Sequence, residues 1–325
     1  MSAPSPSSPS ASSATSASSA SSSSPSRVTV VGEVLVDLLW RSGERGVTPL
    51  PGGSPANVAV GLRRLGRSTT LVTTWGEDPP GELVRDHLAA TGIDVVRAAS
   101  PAGRTTLAMA YVDREGSASY DFLASWDPQD LAVPPDTAVL HTGSLATVLE
   151  PGAGRVLELC RDLHALPGRT VAADLNVRPA VQPDRLAYRQ ACLRLAGVTD
   201  VVKASDADLA WLFPRLDPAE AARVLLAEGP RLAVVTLGAA GALAVTRDAV
   251  VRVAAPRVNV VDTIGAGDAF QAALLDGLAT SGVPVAPERL SEVLTRCVTA
   301  AALNCTRVGA DPPTRAELDA ACPAR

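Results

Sequence analysis

Aromatic residues and cysteine pairs are both scarce in this sequence. Phe, Trp and Tyr make up 3% of the 325 residues, so the core must be built mainly from Val, Leu and Ala. The cysteines are odd in number and form no Cys-x-x-Cys pair, which argues against a zinc site or a disulfide framework and favours a reducing, cytoplasmic location. The five are Cys160, Cys192, Cys297, Cys305 and Cys322.

The sequence also lacks long apolar runs and clusters of basic residues. No apolar stretch is long enough to span a membrane. The net charge is −5, and Lys and Arg form no cluster, which argues against a nucleic-acid partner. If the ligand is a polyanion, backbone dipoles, a few basic side chains and a metal ion must offset its charge.

Two regions of different composition follow one another along the chain. Residues 1–26 are almost only Ser, Ala and Pro, which predicts a disordered tail because such a segment buries too little surface to fold. Residues 27–325 have the length of one large α/β domain, with or without a small appendage.

The hydrophobic pattern predicts a parallel sheet with a smaller sheet beside it. A β-branched run over residues 28–37 predicts a first buried strand, with Asp37 at its end. Short apolar strands near 138–142, 170–174, 200–203 and 232–236 alternate with helices, which indicates βαβ units and ligand sites at the carboxyl ends of the strands. Residues 104–123 predict a β-hairpin with a four-residue turn, and residues 41–53 are a further candidate strand of this small sheet.

The clearest chemical motif is Asp-Thr-Ile-Gly-Ala-Gly-Asp at residues 262–268. Apolar spacing predicts that a helix begins near Asp268. Glycines before a helix N-terminus let backbone N–H groups approach an anion, and the helix dipole favours negative charge there. A carboxylate in such a hole suits a general base for phosphoryl transfer to an alcohol. On spacing alone, a simple helix cap explains Asp268 equally well.

A second glycine-rich segment lies about two hundred residues earlier. Residues 51–57 read Pro-Gly-Gly-Ser-Pro-Ala-Asn and lead into a predicted helix. Paired glycines permit close approach of the backbone to a ligand, and the amide of Asn57 offers both a donor and an acceptor to a sugar hydroxyl. Taken alone, the segment fits an ordinary loop better.

Together the two segments resemble the two signatures of the ribokinase (PfkB) family of carbohydrate kinases, and the resemblance runs from about residue 27 to 315. It implies a three-layer α/β/α fold with a mostly parallel central sheet and a small β-sheet lid. It also implies ATP-dependent phosphorylation of a sugar. By resemblance, Asp268 is the catalytic base. Gly265, Ala266 and Gly267 form the anion hole, and Asp37, Gly53 and Asn57 contact the sugar.

Residues 174–178, Asp-Leu-Asn-Val-Arg, follow a predicted strand. If they are extended, Asp174, Asn176 and Arg178 face the same way, and Arg178 is in a position to reach substrate or phosphate. An Asp–Arg structural pair is the alternative. The segment resembles fructokinase-like and ketodeoxygluconate-kinase-like members of the family, and the resemblance assigns Arg178 to the sugar.

The resemblance also implies a nucleotide side and metal sites. Lys203 and Asp206 take the place of an Asn-x-x-Glu motif, in which the acidic residue helps to organise magnesium; helix capping by Ser205 and Asp208 is the alternative. A monovalent cation, K⁺, would lie between two loops. The nucleotide residues are Lys203, Thr236, Gly238, Gly241 and Asn304, and the cation residues are Asp262, Ile264, Asn304 and Gly309.

The segments Lys-x-Ser-Asp at residues 203–206, Asp-x-Asn-x-Arg-Pro at 174–179 and Cys-x-Arg-x-Gly-Ala-Asp-Pro-Pro at 305–313 most resemble fructokinase-like members, and this resemblance implies fructose, phosphorylated at O6, as the substrate. The alternatives are 2-dehydro-3-deoxygluconate, then ribose or a nucleoside. A sugar-sensing protein without catalysis is a further alternative, which the intact Asp268 motif argues against. A nicotinamide-dependent enzyme lacks its glycine fingerprint. By resemblance, two copies of the chain pair through the lid.

Overall fold

A nine-stranded sheet forms the centre of the molecule. The computed structural model describes residues 1, 26–113 and 118–322. The tail predicted for residues 1–26 lies almost wholly outside the described residues. The strand order is β13-β12-β11-β10-β9-β8-β1-β4-β5, and neighbouring strands pair in parallel except for β11 with β12 and β12 with β13, which pair antiparallel. The bounds are β1 Arg27–Val31, β4 Thr69–Thr73, β5 Asp94–Arg97, β8 Thr137–Gly143, β9 Thr170–Asp174, β10 Val201–Ser205, β11 Leu232–Thr236, β12 Ala242–Val245 and β13 Val250–Val253.

Helices cover both faces of this sheet, as the alternation of strands and helices predicts. Side chains alternate along β1, so that Val28 and Val30 join one core cluster and Val31 joins the other. The first cluster packs against α1 Ser54–Arg64, α2 Pro79–Thr91, α7 Ala266–Ser281, α8 Pro287–Cys305 and α9 Arg315–Ala321. The second packs against α3 Gly152–His164, α4 Arg185–Ala196, α5 Asp206–Leu212 and α6 Pro218–Leu226.

A second sheet of four strands, called here the small sheet, lies apart from the large one. Its order is β3-β2-β6-β7, with β2 Leu35–Arg41, β3 Thr48–Gly52, β6 Thr106–Val112 and β7 Ala118–Leu123. The strands β6 and β7 form the predicted antiparallel hairpin, although residues 114–117 of its turn are outside the described residues. The three-layer α/β/α class with a small additional sheet is therefore confirmed.

The prediction of one continuous strand over residues 28–37 is wrong. The chain leaves the large sheet after Val31, and residues 35–41 enter the small sheet as β2. The break occurs at Gly32, where a Cβ atom would overlap the ring of Pro55 at the start of α1. Because this contact is tertiary, the β-branched pattern does not reveal it. Asp37 consequently lies within a strand of the small sheet and not at the end of the first strand.

The remaining expectations about elements agree with the structure. The strands β8 to β11 match the four predicted near 138–142, 170–174, 200–203 and 232–236. All five cysteines are free thiols. Among the described residues, no helix is both long and apolar enough to cross a membrane.

Candidate active site

Asp268 lies in the first turn of α7, close to the predicted helix start. Gly265, the N-cap of α7, has the left-handed φ of 75° that side chains disfavour, and a Cβ atom there would lie 2.5 Å from the Cβ of Ala310. The N–H of Ala266 donates to the carbonyl of Thr263 at 3.2 Å. A ligand that uses this N–H in an anion hole must therefore displace that bond.

Two donors from α1 hold the carboxylate of Asp268. Ser54 Oγ donates to Oδ1 at 2.7 Å, and Asn57 Nδ2 donates to Oδ2 at 2.9 Å. Burial raises the pKa of Asp268, while these two hydrogen bonds and the nearby Lys203 ammonium act in the opposite direction. The two glycine-rich segments, 214 residues apart at Ser54 and Asp268, thus meet in one site.

Asp37 of β2 faces the same region from the small sheet. Burial raises its pKa to about 6, the negative charge of Asp268 adds to this effect, and the Arg178 guanidinium opposes it. A Cβ atom on Gly52 would lie 2.5 Å from the Asp37 carboxylate, and one on Gly53 would lie 2.8 Å from the carbonyl of Glu33. Glycine is therefore required at position 53, where the obstacle is backbone and φ is 107°, whereas at position 52 the Asp37 side chain would have to shift.

The expectation that Asp174, Asn176 and Arg178 face the same way is wrong. The strand β9 ends at Asp174, and Asn176 has a left-handed φ of 38°, which breaks the alternation. Asn tolerates this conformation better than most residues. Asn176 Nδ2 donates to Ser144 Oγ at 3.2 Å, while Asp174 accepts from Lys203 Nζ at 2.5 Å. The predicted alternative of an Asp174–Arg178 pair is not seen either.

Four of the five predicted nucleotide residues lie in or shortly after the neighbouring strands β10 and β11, and the fifth, Asn304, lies near the end of α8. Thr236 ends β11 and is in register with Ser205 of β10. Gly238 and Gly241 flank a 3₁₀ turn with φ of 53° and 98°, and a Cβ atom on Gly241 would overlap the carbonyl of Val253. The turn therefore requires glycine at position 241.

The start of α5 shows the expected capping pattern. Ser205 and Asp208 form a capping box, and Asp208 also accepts from the N–H of Val177 at 2.9 Å. Asp206 is exposed and accepts from the adjacent N–H of Ala207. Capping thus involves Asp208, and Asp206 remains available for another role.

The segment that contains Asp262 and Ile264 meets the segment of Asn304 and Gly309 beside Gly265, where the cation site was predicted. Asp262 accepts from the N–H of Ile264 at 3.0 Å and from the N–H of Gly309 at 2.8 Å. Asn304 Nδ2 donates to the carbonyl of Ile264 at 2.7 Å, and its buried Oδ1 has no protein partner among the described residues. No group of three or more His, Cys, Asp or Glu side chains in the described part of the chain is arranged to hold a metal.

Sequence reasoning missed two residues of this region. Ser54 contacts Asp268, and its position directly after Gly53 was the available signal. Glu33 is buried after β1 and accepts from the N–H groups of Leu145 and Ala146 at 3.4 and 3.0 Å. Burial raises the pKa of Glu33 to about 7. An acidic residue inside a β-branched run was the signal for it.

The model of the pfkB family carbohydrate kinases matches residues 26–317, a range that includes both glycine-rich segments. The chain belongs to this family. Among curated relatives, a fructokinase from Rhizobium leguminosarum bv. trifolii is 35% identical over 259 residues, which cover 76% of this chain and 78% of the relative. A fructokinase from Klebsiella pneumoniae is 34% identical, covering 87% of this chain and 94% of the relative.

Solved structures of a fructokinase and of an aminoimidazole riboside kinase have the same fold. The fructokinase from Vibrio cholerae O395, in a form with fructose, ADP and potassium ion bound, superposes with a TM-score of 0.79 at 28% identity, covering 92% of this chain and 99% of that one. Aminoimidazole riboside kinase from Salmonella enterica superposes with a TM-score of 0.76 at 26% identity, covering 90% and 99%. The family resemblance is thus confirmed, and this chain is a carbohydrate kinase of the pfkB family.

Proposed function

We propose that this protein transfers the γ-phosphoryl group of ATP to the O6 hydroxyl of fructose. The observation that carries the proposal is the Asp268 carboxylate, held by Ser54 and Asn57 in the first turn of α7 beside Gly265 and Gly267. The fructokinases among the similar proteins support fructose as the sugar.

Asp268 is the general base in this proposal. It accepts the proton of the sugar hydroxyl as the oxygen attacks the γ-phosphorus, and the hydrogen bonds from Ser54 and Asn57 favour the ionised carboxylate and oppose the rise in pKa that burial causes. The backbone of Gly265, Ala266 and Gly267, with the dipole of α7, stabilises the negative charge on the transferred group.

Asp37, Gly53, Asn57 and Arg178 bind the sugar. Asp37 accepts from sugar hydroxyls when it is ionised, and the Arg178 guanidinium favours that ionised form. The Nδ2 of Asn57 donates to Asp268, so its carbonyl oxygen is the group that accepts from the sugar. The small sheet covers the sugar and excludes water that would otherwise accept the phosphoryl group.

The nucleotide binds on the side of β10 and β11 as its magnesium complex. Lys203, Thr236, Gly238, Gly241 and Asn304 form this side, and Asp206 acts on the water shell of the magnesium. K⁺ would be held by the loops of Asp262, Ile264, Asn304 and Gly309. The orphaned buried Oδ1 of Asn304 fits an oxygen-binding cation, whose charge would stabilise phosphate oxygens.

The oligomer and the location belong to the same proposal. Two copies would pair through the small sheet, whose exposed side chains include Trp40, Leu50 and Tyr111. Sedimentation of the wild type and of a Leu50→Glu variant tests this pairing, and a monomeric wild type would contradict it. We propose a cytoplasmic location, consistent with five free thiols.

A coupled ADP-release assay tests the reaction and the substrate. The panel contains fructose, 2-dehydro-3-deoxygluconate, ribose, tagatose, adenosine and aminoimidazole riboside, and fructose should give the highest kcat/KM. Preference for another sugar would refute fructose alone. Absence of turnover with every compound would refute the kinase function and favour a sugar-sensing protein.

Asp268→Asn tests the base. The variant should lose about 10²–10⁴ in kcat, the usual contribution of a general base. Fructose binding, followed by calorimetry, should survive because the shape of the site is retained. Near-normal kcat in this variant would contradict the assignment of Asp268.

A further inference from the structure

Lys203 is the only lysine in the chain, and the other 28 of the 29 basic residues are arginines. This composition shows that arginine serves almost everywhere that the chain needs a positive charge. Lysine differs from arginine in carrying a compact ammonium with three donors in place of a planar fork. The single lysine therefore marks a position with a different chemical requirement.

The ammonium of Lys203 lies beside the anion hole. Lys203 is 4% exposed and is the register partner of Asp174 in the neighbouring strand β9. Its Nζ donates to Asp174 Oδ2 at 2.5 Å and lies 3.6 Å from the position that a Cβ atom on Gly267 would take. The cation is thus fixed between a buried carboxylate and the first turn of α7.

The hydrogen bonds of this ion pair are incomplete. Among the described residues, Asp174 is the one hydrogen-bond acceptor for Nζ, although an ammonium has three donors. Asp174 Oδ1 is also buried without a partner. Buried donors without acceptors cost free energy. An anionic oxygen at the N-terminus of α7 would supply the missing acceptor and would also interact favourably with the helix dipole.

The neighbouring base identifies which anion this is. Asp268 follows Gly267 directly, and a general base must lie within hydrogen-bond reach of the hydroxyl that attacks phosphorus. The phosphate group closest to Gly267 is then the transferred one. If Lys203 served only to anchor the nucleotide, it would contact phosphates that ADP also carries.

We propose that Lys203 is a catalytic residue that binds the γ-phosphoryl group during transfer, and that Asp174 positions its ammonium. The assignment rests on the proposed kinase function and specifies one contact within it. Arginine would not serve equally well, because a guanidinium pairs with both oxygens of Asp174 and presents its remaining donors in a fixed plane.

Two variants test the proposal. Lys203→Arg keeps the charge, and the double variant Lys203→Met with Asp174→Asn removes both charges together. Removing both avoids the strong destabilisation that follows when one buried charge loses its partner. Thermal unfolding of each variant verifies folding before any binding is measured.

Calorimetry then compares ADP with a non-hydrolysable ATP analogue that has a methylene group between its β- and γ-phosphorus atoms. In the double variant, the affinity for the analogue should fall about tenfold or more, as expected for one charge-assisted hydrogen bond, while the affinity for ADP stays within about twofold. The kcat should fall by about 10²–10³ in both variants. The KM for the sugar should be unchanged.

Three results would overturn the proposal. Equal loss of affinity for ADP and the analogue would make Lys203 a nucleotide anchor. Unchanged affinities with normal kcat would make the ion pair structural. Full activity of the Lys203→Arg variant would refute the requirement for an ammonium. The binding measurements contain no sugar, so a wrong choice of sugar would appear in the wild-type substrate panel and would leave this comparison interpretable.

Discussion

The Gly267→Ala substitution should lower kcat without lowering the stability of the protein. Gly267 is the second residue of α7, and a Cβ atom there would meet Lys203 Nζ at 3.6 Å, an ordinary contact distance. Alanine is more stable than glycine within a helix by about 0.5–1 kcal/mol. The variant should therefore fold normally, with a Tm equal to or slightly above that of the wild type.

The same methyl group would occupy the space between the helix N-terminus and the Lys203 ammonium. A phosphoryl group that binds there loses its close approach to the backbone. We expect kcat to fall by about 10²–10³, the usual cost of losing one donor to a developing negative charge. Steady-state kinetics with saturating fructose measures the loss, and calorimetric titration with fructose alone should show normal binding.

Gly265→Ala is the matched control. At this position φ is 75°, and the new Cβ would lie 2.5 Å from the Cβ and 2.7 Å from the Cα of Ala310. A left-handed alanine costs about 1–2 kcal/mol before this overlap is counted. The variant should therefore lose stability, measured by urea unfolding. A Gly267→Ala enzyme with near-wild-type kcat would refute the location of the anion hole at the start of α7.

Three further predictions concern ionisation. Burial raises the pKa of Asp37 to about 6, so the carboxylate becomes protonated and accepts fewer hydrogen bonds from the sugar as pH falls. The KM for fructose should therefore rise below about pH 6, and the Asp37→Asn variant should have a high KM at every pH. Burial raises the pKa of Glu33 from 4.5 to about 7, so between these two pH values the folded state holds a proton that the unfolded state has released. The free energy of unfolding, measured in urea, should therefore fall by about 3 kcal/mol as pH rises from 4.5 through 7. The Glu33→Gln variant should not show this pH dependence. The hydrogen bond from Ser54 favours ionised Asp268, so Ser54→Ala should move the acid limb of the kcat–pH profile to higher pH; an unmoved limb would contradict this contact.

The chemistry of the site was more predictable than its geometry. Residues 262–268 revealed a helix start near Asp268, which the structure places at Ala266, because glycine and an acidic residue before an apolar helical stripe are typical of a helix N-terminus. The Gly52 and Gly53 pair was also informative, since backbone atoms at 2.8 Å and a left-handed φ exclude a side chain at Gly53. Local backbone requirements leave a signal in the residues themselves.

The features that the sequence did not predict depend on contacts between distant residues. The break after Val31 coincides with the close approach of Gly32 to Pro55, and residues after it, including Asp37, enter another sheet. The pairing of Lys203 with Asp174 requires the register of β9 and β10, which strand patterns do not specify. The left-handed Asn176 is stabilised by Ser144, which is 32 residues away. None of these contacts has a signature at one position of the sequence.

The two donors to Asp268 leave acceptor sites of its carboxylate open for a sugar hydroxyl. Ser54 and Asn57 each occupy one carboxylate oxygen, yet a carboxylate offers about four acceptor sites. A sugar hydroxyl can therefore donate to Asp268 without displacing either residue, so both hydrogen bonds that favour the ionised carboxylate can persist when the sugar binds. Both donors belong to α1, which follows Gly53 directly, so under the proposed function the segment that contacts the sugar also stabilises the charge of the base. A substitution at the start of α1 should then affect both sugar binding and the pKa of Asp268.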